Sequence, residues 1–530
     1  MKCITLEPHQ NNHGDNLIIT LTHNLFAIDY SKMGSGKTFT ASYVLQYCRF
    51  KHCIVVCPTS DVWEDISNEY GLGINHIISY DSLRSRKGCQ PKHGLLSRVE
   101  TKDGPIFSVT PLLRHIIDEG CLVIFDESHL IKNDSDQFKA AKVLSRAITI
   151  PNGDCYSRVL FLSATPFDKK EQPTRLLQCA GVVSKDKLYN YDKSEMRYEL
   201  TGIGELIDYC KLKNPAKTLE VIEGREFNNK NIPLIAYDLY TNIIQDAVAF
   251  CMPLPKIDVP LDCMNGYYRM LPHEEQEYSA AISRLNKALR PEGGEIKMGK
   301  DNLAAITLAL RDKEYAKRGV YIRNPIWILE NIPNSKVVIS VNYNRSIDAI
   351  YHNLRKYNPL LYTGKVPKDK RTIIKNNFQQ PDLEYRLLIT NINVSSLSVS
   401  FDDRDGRFPR YAFGESGYKI MNDHQWTHRF YRVSTKSTPH IRFVYGNVRD
   451  ETTGEECGLL ETSIINAIVR KSEVMKDTLK IQVEEGVKFP ADYEKYIEKE
   501  MVMKDLVIEN IVEKVEKIDG IIEEIKNLIM

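Results

Sequence analysis

The sequence lacks a long apolar run, paired cysteines and an excess of charge of one sign. No stretch of its 530 residues approaches the roughly 18 apolar residues that a membrane-spanning helix needs. The 12 cysteines have no CxxC spacing, so they predict neither a zinc site nor a disulfide framework. Lys and Arg number 71 against 70 Asp and Glu, so attraction for a polyanion must come from a local patch.

A secretory signal is also missing from the first residues. In MKCITLEPHQ a single Lys is followed by Glu7 and Pro8, where a signal peptide needs a continuous apolar stretch. The cysteines at 53 and 57 bracket the apolar run CIVVC, which is typical of reduced cysteines that act as small hydrophobic side chains in a strand. We therefore expect an intracellular, reducing compartment.

The composition that remains is that of a multidomain globular protein, with 42% hydrophobic and 27% charged residues and a length beyond one ordinary core. Short apolar runs, typical of buried parallel strands, occur at 25–30, 53–57, 121–125 and 159–163, and again at 336–341, 385–390 and 441–446. Helical periodicity dominates from 170 to 330 and after 460. We predict an α/β fold with four parts: lobe 1 at 1–185, a helical protrusion or bridge at 186–330, lobe 2 at 331–455 and a C-terminal helical extension at 456–530.

A phosphate-binding loop follows the first apolar run. Its glycines let backbone N–H groups surround phosphates, Lys37 supplies a cation and the Thr38 hydroxyl is a ligand for Mg²⁺. The position usually occupied by the first glycine of such a loop is Ser31. The candidate nucleotide-binding residues are Met33, Gly34, Ser35, Gly36, Lys37 and Thr38.

A pair of carboxylates follows the apolar run CLVIF. Asp126, at the end of this buried run, is suited to hold Mg²⁺, and Glu127 is suited to orient and deprotonate an attacking water. An acidic pair alone is weak evidence, because such pairs are usually solvated loop residues. Together with the phosphate-binding loop, the pair predicts nucleotide hydrolysis.

These motifs resemble those of superfamily 2 helicases and translocases. GSGKT at 34–38, DESH at 126–129 and the sequence Ser163, Ala164, Thr165 are similar to motifs I, II and III. PTSDVW at 58–63, ISYDSLR at 78–84 and DESHLIKN at 126–133 are similar to the Snf-type translocases, which include poxvirus nucleoside triphosphatase I. The resemblance implies two RecA-like lobes with ATP between them, nucleic acid across both, and a helical protrusion.

Further roles are implied by the same resemblance. LEPHQ at 6–10 resembles the Q motif, which implies that Gln10 reads adenine. The residues that would contact nucleic acid or couple it to ATP are Pro58, Thr59, Ser163, Ala164, Thr165 and Ser398. Ser398 lies where relatives carry a glycine-bearing motif V, and serine keeps the small size but loses the freedom to adopt positive φ.

Motif VI is similar to the segment from Gln425 to Arg432. The resemblance implies that Gln425 belongs to the catalytic set and that Arg429 and Arg432 are arginine fingers, since a guanidinium stabilises charge on a transferring phosphoryl group. The preceding loop DDRDGRFPR at 402–410 contains Arg404, Arg407 and Arg410. It is either a phosphate-contacting loop or a solvated basic loop.

The function implied is hydrolysis of ATP with Mg²⁺ to move along nucleic acid, with double-stranded DNA favoured. A protein of a large DNA virus acting in transcription or DNA handling fits the resemblance, and its compartment would be the host cytoplasm, as in a virus factory, or the virion. Two alternatives stay open. One is an RNA helicase, which shares the catalytic core; the other is an inactive nucleic-acid-binding scaffold, disfavoured because Lys37, Asp126, Glu127, Arg429 and Arg432 are all present.

The C-terminal tail carries an apolar stripe at helical spacing. It consists of Ile508, Ile511, Val515, Ile518, Ile522, Ile525 and Ile529. A helix with such a stripe must bury it. It either packs back on its own lobe or, through residues 501–529, self-associates or binds a protein partner.

Overall fold

The computed structural model describes residues 3–150, 156–164, 166–167, 169–253, 257–289, 300–395, 400–415 and 420–447. They form two compact units that divide near residue 255. We call residues 3–253 unit 1 and residues 257–447 unit 2. Thr165, Ser398 and the tail stripe at 501–529 lie outside the described residues, and the four domain boundaries deduced from the sequence stay a prediction.

Unit 1 contains a six-stranded sheet and two small hairpins. The strands are β1 (Phe26–Asp29), β2 (His52–Cys57), β3 (His76–Ser79), β4 (Leu96–Thr101), β5 (Gly104–Val109), β6 (Cys121–Asp126), β7 (Arg158–Leu162), β8 (Asn190–Asp192), β9 (Arg197–Glu199) and β10 (Ala249–Phe250). The helices are α1 (Pro8–His23), α2 (Lys37–Cys48), α3 (Asp61–Tyr70), α4 (Tyr80–Arg84), α5 (Pro111–Asp118), α6 (Asp136–Thr149), α7 (Pro173–Cys179), α8 (Gly202–Lys213), α9 (Pro215–Ile222), α10 (Asn231–Leu239) and α11 (Gln245–Val248).

The main sheet of unit 1 is parallel, with strand order β10-β1-β7-β6-β2-β3. Its register aligns the strand ends. Asp29, the last residue of β1, and Asp126, the last residue of β6, both pair with Leu162 at the end of β7. Because parallel strands send their carboxyl ends to one edge, the loops after β1, β6 and β7 meet there.

Both faces of this sheet are buried, which explains the continuous apolar runs in the sequence. Ile54 and Val123 point into one cluster and Val55 and Ile124 into the other. Residues of α8, α10 and α11 belong to the first cluster. The helical stretch at 202–248 therefore contributes to the core of unit 1.

Unit 2 contains a second six-stranded sheet. Its strands are β11 (Asp262–Arg269), β12 (Lys336–Val341), β13 (Leu360–Tyr362), β14 (Leu387–Asn391), β15 (Arg410–Gly414) and β16 (His440–Asn447), in the order β11-β16-β15-β12-β14-β13. All neighbouring strands are parallel. The helices are α12 (Pro272–Leu289), α13 (Lys300–Ala316), α14 (Val320–Asn331), α15 (Asn344–Asn353), α16 (Lys368–Gln379), α17 (Ile392–Ser395) and α18 (Ile420–Thr427).

The predicted fold class is confirmed: each unit is a parallel α/β sheet flanked by helices, as in RecA-like lobes. The stretch between the lobes also supplies an edge strand to each sheet, β10 and β11, which the helical pattern did not predict. β10 has only two residues, and β11 mixes polar and aromatic residues. Neither therefore has the apolar run by which a buried strand is recognised.

Two kinds of feature were not found in the described part of the chain. None of its helices is long and apolar enough to cross a membrane. It also has no cluster of three or more His, Cys, Asp or Glu side chains arranged to hold a metal ion.

Candidate active site

The loop between β1 and α2 has the conformation that its glycines predict. Gly34 and Gly36 have φ of 77° and 92°, in the left-handed region that L side chains rarely adopt. A Cβ on Gly36 would also lie 2.1 Å from Nε2 of Gln10. Glycine is therefore required at this position both by conformation and by space.

Lys37 begins α2 and bonds back across the loop. Its Nζ donates to the carbonyl oxygens of Ser31 at 2.8 Å and Lys32 at 3.3 Å. Thr38 is the next residue of the helix. Met33 and Ser35 are buried, and the Ser35 hydroxyl donates to the carbonyl of Lys32 at 2.7 Å.

Gln10, on the first turn of α1, contacts this loop. Its Nε2 donates to the carbonyl oxygen of Ser35 at 2.9 Å, and its Oε1 accepts from the N–H of Glu7 at 3.0 Å. The structure thus brings Gln10 to the phosphate-binding loop. Its reading of adenine stays a prediction.

A cavity of about 260 Å³ is lined by His9, the neighbour of Gln10 in the sequence. It lies between α1 and the chain that follows β10. Its lining consists of Pro8, His9, Asn12, His13, Asn16, Phe250, Cys251 and Pro253. The ring of His9 connects it to the loop, because its Nε2 lies 3.4 Å from the carbonyl oxygen of Ser35.

Asp29 is a buried carboxylate that the sequence did not single out, and it bonds to the start of the phosphate-binding loop. Asp29 is fully buried; its Oδ1 accepts from the N–H of Ser31 at 2.9 Å, and its Oδ2 lies 3.0 Å from Nε2 of His13. The Ser31 hydroxyl in turn accepts from the N–H of Met252 at 2.8 Å. Ser31 is not among the residues with positive φ, so a serine in place of the usual glycine causes no left-handed strain and ties the loop to the chain after β10.

The surroundings of Asp29 favour its charged form. Burial alone would raise its pKa, but the hydrogen bond and charge of His13, with the charge of Lys37, more than offset burial, so the pKa lies below its ordinary value. A carboxyl group with a lowered folded-state pKa stabilises the fold above its unfolded pKa, and this contribution is lost as pH falls through the folded value.

Replacing Asp29 by Ala should therefore destabilise the protein. Loss of Asp29 leaves the N–H of Ser31 and the ring of His13 without this buried partner, at about 1–3 kcal/mol for each unsatisfied group, so the midpoint of thermal unfolding should fall by roughly 10 °C at pH 7. The exposed Asp65 is the matched control, and its replacement by Ala should move the midpoint by about 1 °C. The difference between the two variants should shrink below about pH 4; equal midpoints at pH 7 would show that Asp29 does not support the loop.

Asp126 lies at the end of β6 and is held by two aromatic side chains. Trp63 donates its indole N–H to Oδ2 at 2.9 Å, and the Tyr80 hydroxyl donates to the main-chain oxygen at 2.9 Å. Burial and the adjacent charge of Glu127 raise the pKa of Asp126 to about 6, against the opposing effects of Trp63 and Lys37. A nearby cation would favour the charged form, so this carboxylate fits the role of a Mg²⁺ ligand.

Glu127 has a strained backbone. Its φ is 53° and its ψ is 51°, a left-handed conformation that costs a non-glycine residue roughly 1–2 kcal/mol. Its Oε2 lies 3.2 Å from Nδ1 of His129, and the same nitrogen lies 3.2 Å from the Ser163 hydroxyl. His129 therefore links the second carboxylate to the loop after β7.

The remaining candidates of unit 1 lie at the same edge of the sheet. The N–H of Ser163 donates to the carbonyl of Asp29 at 2.9 Å, and Ala164 beside it is buried. Pro58 and Thr59 directly follow β2 and are half-buried. Roles for these residues in nucleic-acid contact and coupling stay predictions.

The motif VI residues are largely buried within unit 2. Gln425 lies on α18, and the main-chain oxygen of Arg429 accepts from the N–H of Phe401 at 2.8 Å. Nε of Arg432 donates to the carbonyl of His428 at 3.0 Å, and burial lowers its pKa. The backbone of this segment is thus fixed to the core of unit 2, and the arginine-finger role stays a prediction.

Arg410 differs from both interpretations of the loop at 402–410. It is 3% exposed, and its guanidinium donates to the main-chain oxygens of Phe401, Phe408 and Asp402 and to Oε1 of Gln379 at 2.8–3.3 Å. Burial lowers its pKa to about 10. Arg410 is therefore a structural residue, neither solvated nor open to phosphate, whereas the side chains of Arg404 and Arg407 are exposed.

Comparisons with known proteins agree with this arrangement. The model of the DEAD/DEAH box helicase family matches residues 17–172. A relative from Acanthamoeba polyphaga mimivirus, described as putative ATP-dependent RNA helicase L364, is 27% identical over 415 residues, which cover 76% of this chain and 72% of the relative.

Solved structures of two archaeal proteins show a weak likeness. The SWI2/SNF2 ATPase core of Sulfolobus solfataricus in complex with dsDNA is 14% identical, with 90% of this chain and 98% of that chain covered and a TM-score of 0.29. The helicase domain of Pyrococcus furiosus Hef is 12% identical, with 82% and 94% covered and a TM-score of 0.38. The matched domain and the motif residues support a superfamily 2 ATP-dependent helicase or translocase, whose DEAD/DEAH box region corresponds to residues 17–172 of this chain.

Proposed function

We propose that unit 1 hydrolyses ATP at the carboxyl edge of its sheet. The observation that carries this proposal is the register that places Asp29 and Asp126 on either side of Leu162. Strands in a sheet are about 4.8 Å apart, so the phosphate-binding loop and the acidic pair begin about 10 Å from each other.

Each residue of the site has a distinct task. The backbone N–H groups of the glycine loop and Lys37 bind the phosphates; Thr38 and Asp126 would hold Mg²⁺, which neutralises phosphate charge when bound. Glu127 orients the attacking water and accepts its proton. Gln10 and the cavity beside His9 would receive the base.

His129 is the residue through which hydrolysis and movement would be coupled. It contacts both Glu127 and the hydroxyl of Ser163, so a change in the position of the general base alters a contact in the segment after β7. That segment is the one that the sequence resemblance assigns to coupling. The ring of His129 is therefore a positioning group for Glu127.

For the substrate we favour double-stranded DNA, along which a Snf-type translocase moves. The support is the resemblance of DESHLIKN, PTSDVW and ISYDSLR to that class. A second candidate is RNA, which is favoured by the description of the mimivirus relative. The viral source of that relative supports a role in viral transcription or DNA handling.

One ATPase assay distinguishes these substrates. Steady-state hydrolysis is measured with no nucleic acid and with duplex DNA, single-stranded DNA or RNA at equal nucleotide concentration. We expect duplex DNA to stimulate the rate most, and the stimulation to weaken as salt rises, because phosphate neutralisation releases counterions. Stimulation by RNA alone would replace DNA with RNA in the proposal, and an unchanged rate with every nucleic acid would contradict nucleic-acid-driven movement.

A further inference from the structure

A basic surface of unit 1 lies outside every motif assigned above. It consists of the loop at 85–94 and the β4–β5 hairpin, which we call the basic hairpin. Arg86, Lys87, Lys92 and Lys102 are exposed on it, and none of these four described residues has a carboxylate within ion-pair distance. The net charge of the chain is only +1, so binding of a polyanion requires a local basic patch. Four unpaired cations within 17 residues form such a patch.

The loop is anchored by a buried arginine. Arg98 of β4 is 5% exposed, and its Nη1 donates to the carbonyl oxygens of Arg84 at 2.7 Å and Ser85 at 2.8 Å. Its charge is balanced by Glu100 at 2.7 Å and Asp136 at 3.3 Å. The four exposed cations therefore belong to an organised element.

Further bonds fix the course of the loop along the strand. Gln90 exchanges two hydrogen bonds with the backbone of Arg98, at 2.7 and 3.0 Å. Ahead of it, the N–H of Gly88 donates to Oε1 of Glu100 at 3.3 Å. The loop is thus held against β4, and its three cations belong to the same organised element as Lys102 at the hairpin turn.

The two faces of the hairpin differ. Leu96 and Phe107 are buried on the inner face, whereas Val99 and Ile106 form a cross-strand pair on the outer face and are 60% and 55% exposed. The other outer positions of the paired strands include Ser97 and Ser108. This outer face is therefore uncharged and has a small apolar centre.

The basic hairpin is connected to the active site through one short helix. Arg84, whose carbonyl accepts from Arg98, is the last residue of α4. Tyr80, the first residue of the same helix, donates its hydroxyl to the main-chain oxygen of Asp126. The two ends of this five-residue helix thus contact the acidic pair and the anchor of the basic hairpin.

We propose that the basic hairpin binds the sugar-phosphate backbone of the nucleic acid on which the enzyme acts. Four exposed cations on one organised element can neutralise several phosphates, and the uncharged outer face with Val99 and Ile106 can cover sugars without repelling the chain. Glu100 is bonded to Arg98, so the negative charge of this carboxylate is balanced within the hairpin, and Asp103 is the one exposed carboxylate of the hairpin turn. This inference rests on the proposed nucleic-acid-driven function and adds a contact surface to it.

The test compares two fourfold alanine variants. The first replaces Arg86, Lys87, Lys92 and Lys102; the matched control replaces Lys185, Lys187, Lys193 and Lys230, which are also exposed cations of unit 1. Affinity for a fluorescent DNA duplex, and for an RNA of the same length, is measured by anisotropy at several salt concentrations. Basal ATPase activity and the thermal midpoint of each variant are measured in parallel.

We expect the first variant to keep its basal ATPase activity and to bind at least tenfold more weakly at low salt. Each lost contact to a DNA duplex lowers the slope of log affinity against log salt by about 0.9, so the slope should fall by about 2–4, and the control should match the wild type. Equal slopes for the variant and the wild type would contradict nucleic-acid binding by the basic hairpin and would leave the proposed function intact. Failure of the wild type to bind any nucleic acid would overturn both.

Discussion

Glu127→Gln should bind ATP with nearly normal affinity and hydrolyse it about 10²- to 10⁴-fold more slowly than the wild type. A positioned general base contributes about 10²–10⁴ in rate, and the amide keeps the shape of the carboxylate but cannot accept the proton. The left-handed backbone of Glu127 and its contact to His129 hold the carboxylate in a defined position. Single-turnover hydrolysis and binding of a fluorescent ATP analogue measure the two properties separately.

Lys37→Ala should show the complementary defect. Its ammonium group would no longer bind phosphate, so ATP affinity should fall together with hydrolysis. Asp65→Asn, which alters an exposed carboxylate on α3, serves as the control and should leave both properties unchanged. Near-normal turnover in Glu127→Gln would remove the general-base assignment.

The fold was predictable because its strands are buried on both faces. A strand covered on both sides cannot alternate polar and apolar residues, so runs such as CIVVC and CLVIF indicate both its place and its parallel environment. The positions of the phosphate-binding loop and the acidic pair were then predictable, because each comes directly at the end of such a strand. The edge strands β10 and β11 were not predictable, because one is very short and the other carries no continuous apolar run.

The site residues were predictable where a requirement for glycine or a pattern of charges lies within a short stretch of sequence. Asp29 had such a signal, since it is an acidic residue at the end of the apolar run LFAIDY, but its buried partner His13 lies 16 positions earlier on another element. The contact of Trp63 with Asp126 joins residues 63 positions apart. Pairings of this kind depend on the packing of α1 and α3 against the sheet and have no local signature.

The same limit explains the loop at 402–410. The composition of this loop does not distinguish its three arginines. Arg410 is nevertheless buried, whereas Arg404 and Arg407 are exposed. The difference comes from strand β15, which begins at Arg410 and pairs it with Lys336 of β12. Tertiary pairing, and not sequence composition, decides which cation is available to a ligand.

Alanine at Arg429 or Arg432 should lower kcat by about 10³-fold or more while nucleotide affinity changes much less. An arginine finger stabilises the charge that develops on the transferring phosphoryl group and contributes about 10³–10⁵ to the rate. Because this charge develops only in the transition state, loss of the arginine lowers kcat much more than it lowers nucleotide affinity. Steady-state kinetics with saturating nucleic acid give kcat, and equilibrium nucleotide titration gives affinity. Arg355→Ala, which alters an exposed side chain of the same unit, is the control.

A separate variant guards against a purely structural effect. Nε of Arg432 bonds to the carbonyl of His428, so alanine at this position can loosen the segment after α18, and the conservative variant is therefore made at Arg429. Arg429→Lys keeps a positive charge but loses the planar fork of donors that matches phosphate oxygens, and it should recover only a small part of kcat while leaving the thermal midpoint unchanged. A loss of nucleotide affinity with normal kcat in both alanine variants would assign these arginines to binding instead of catalysis. Wild-type kinetics in Arg429→Lys would show that charge alone suffices, and the bidentate role would be wrong.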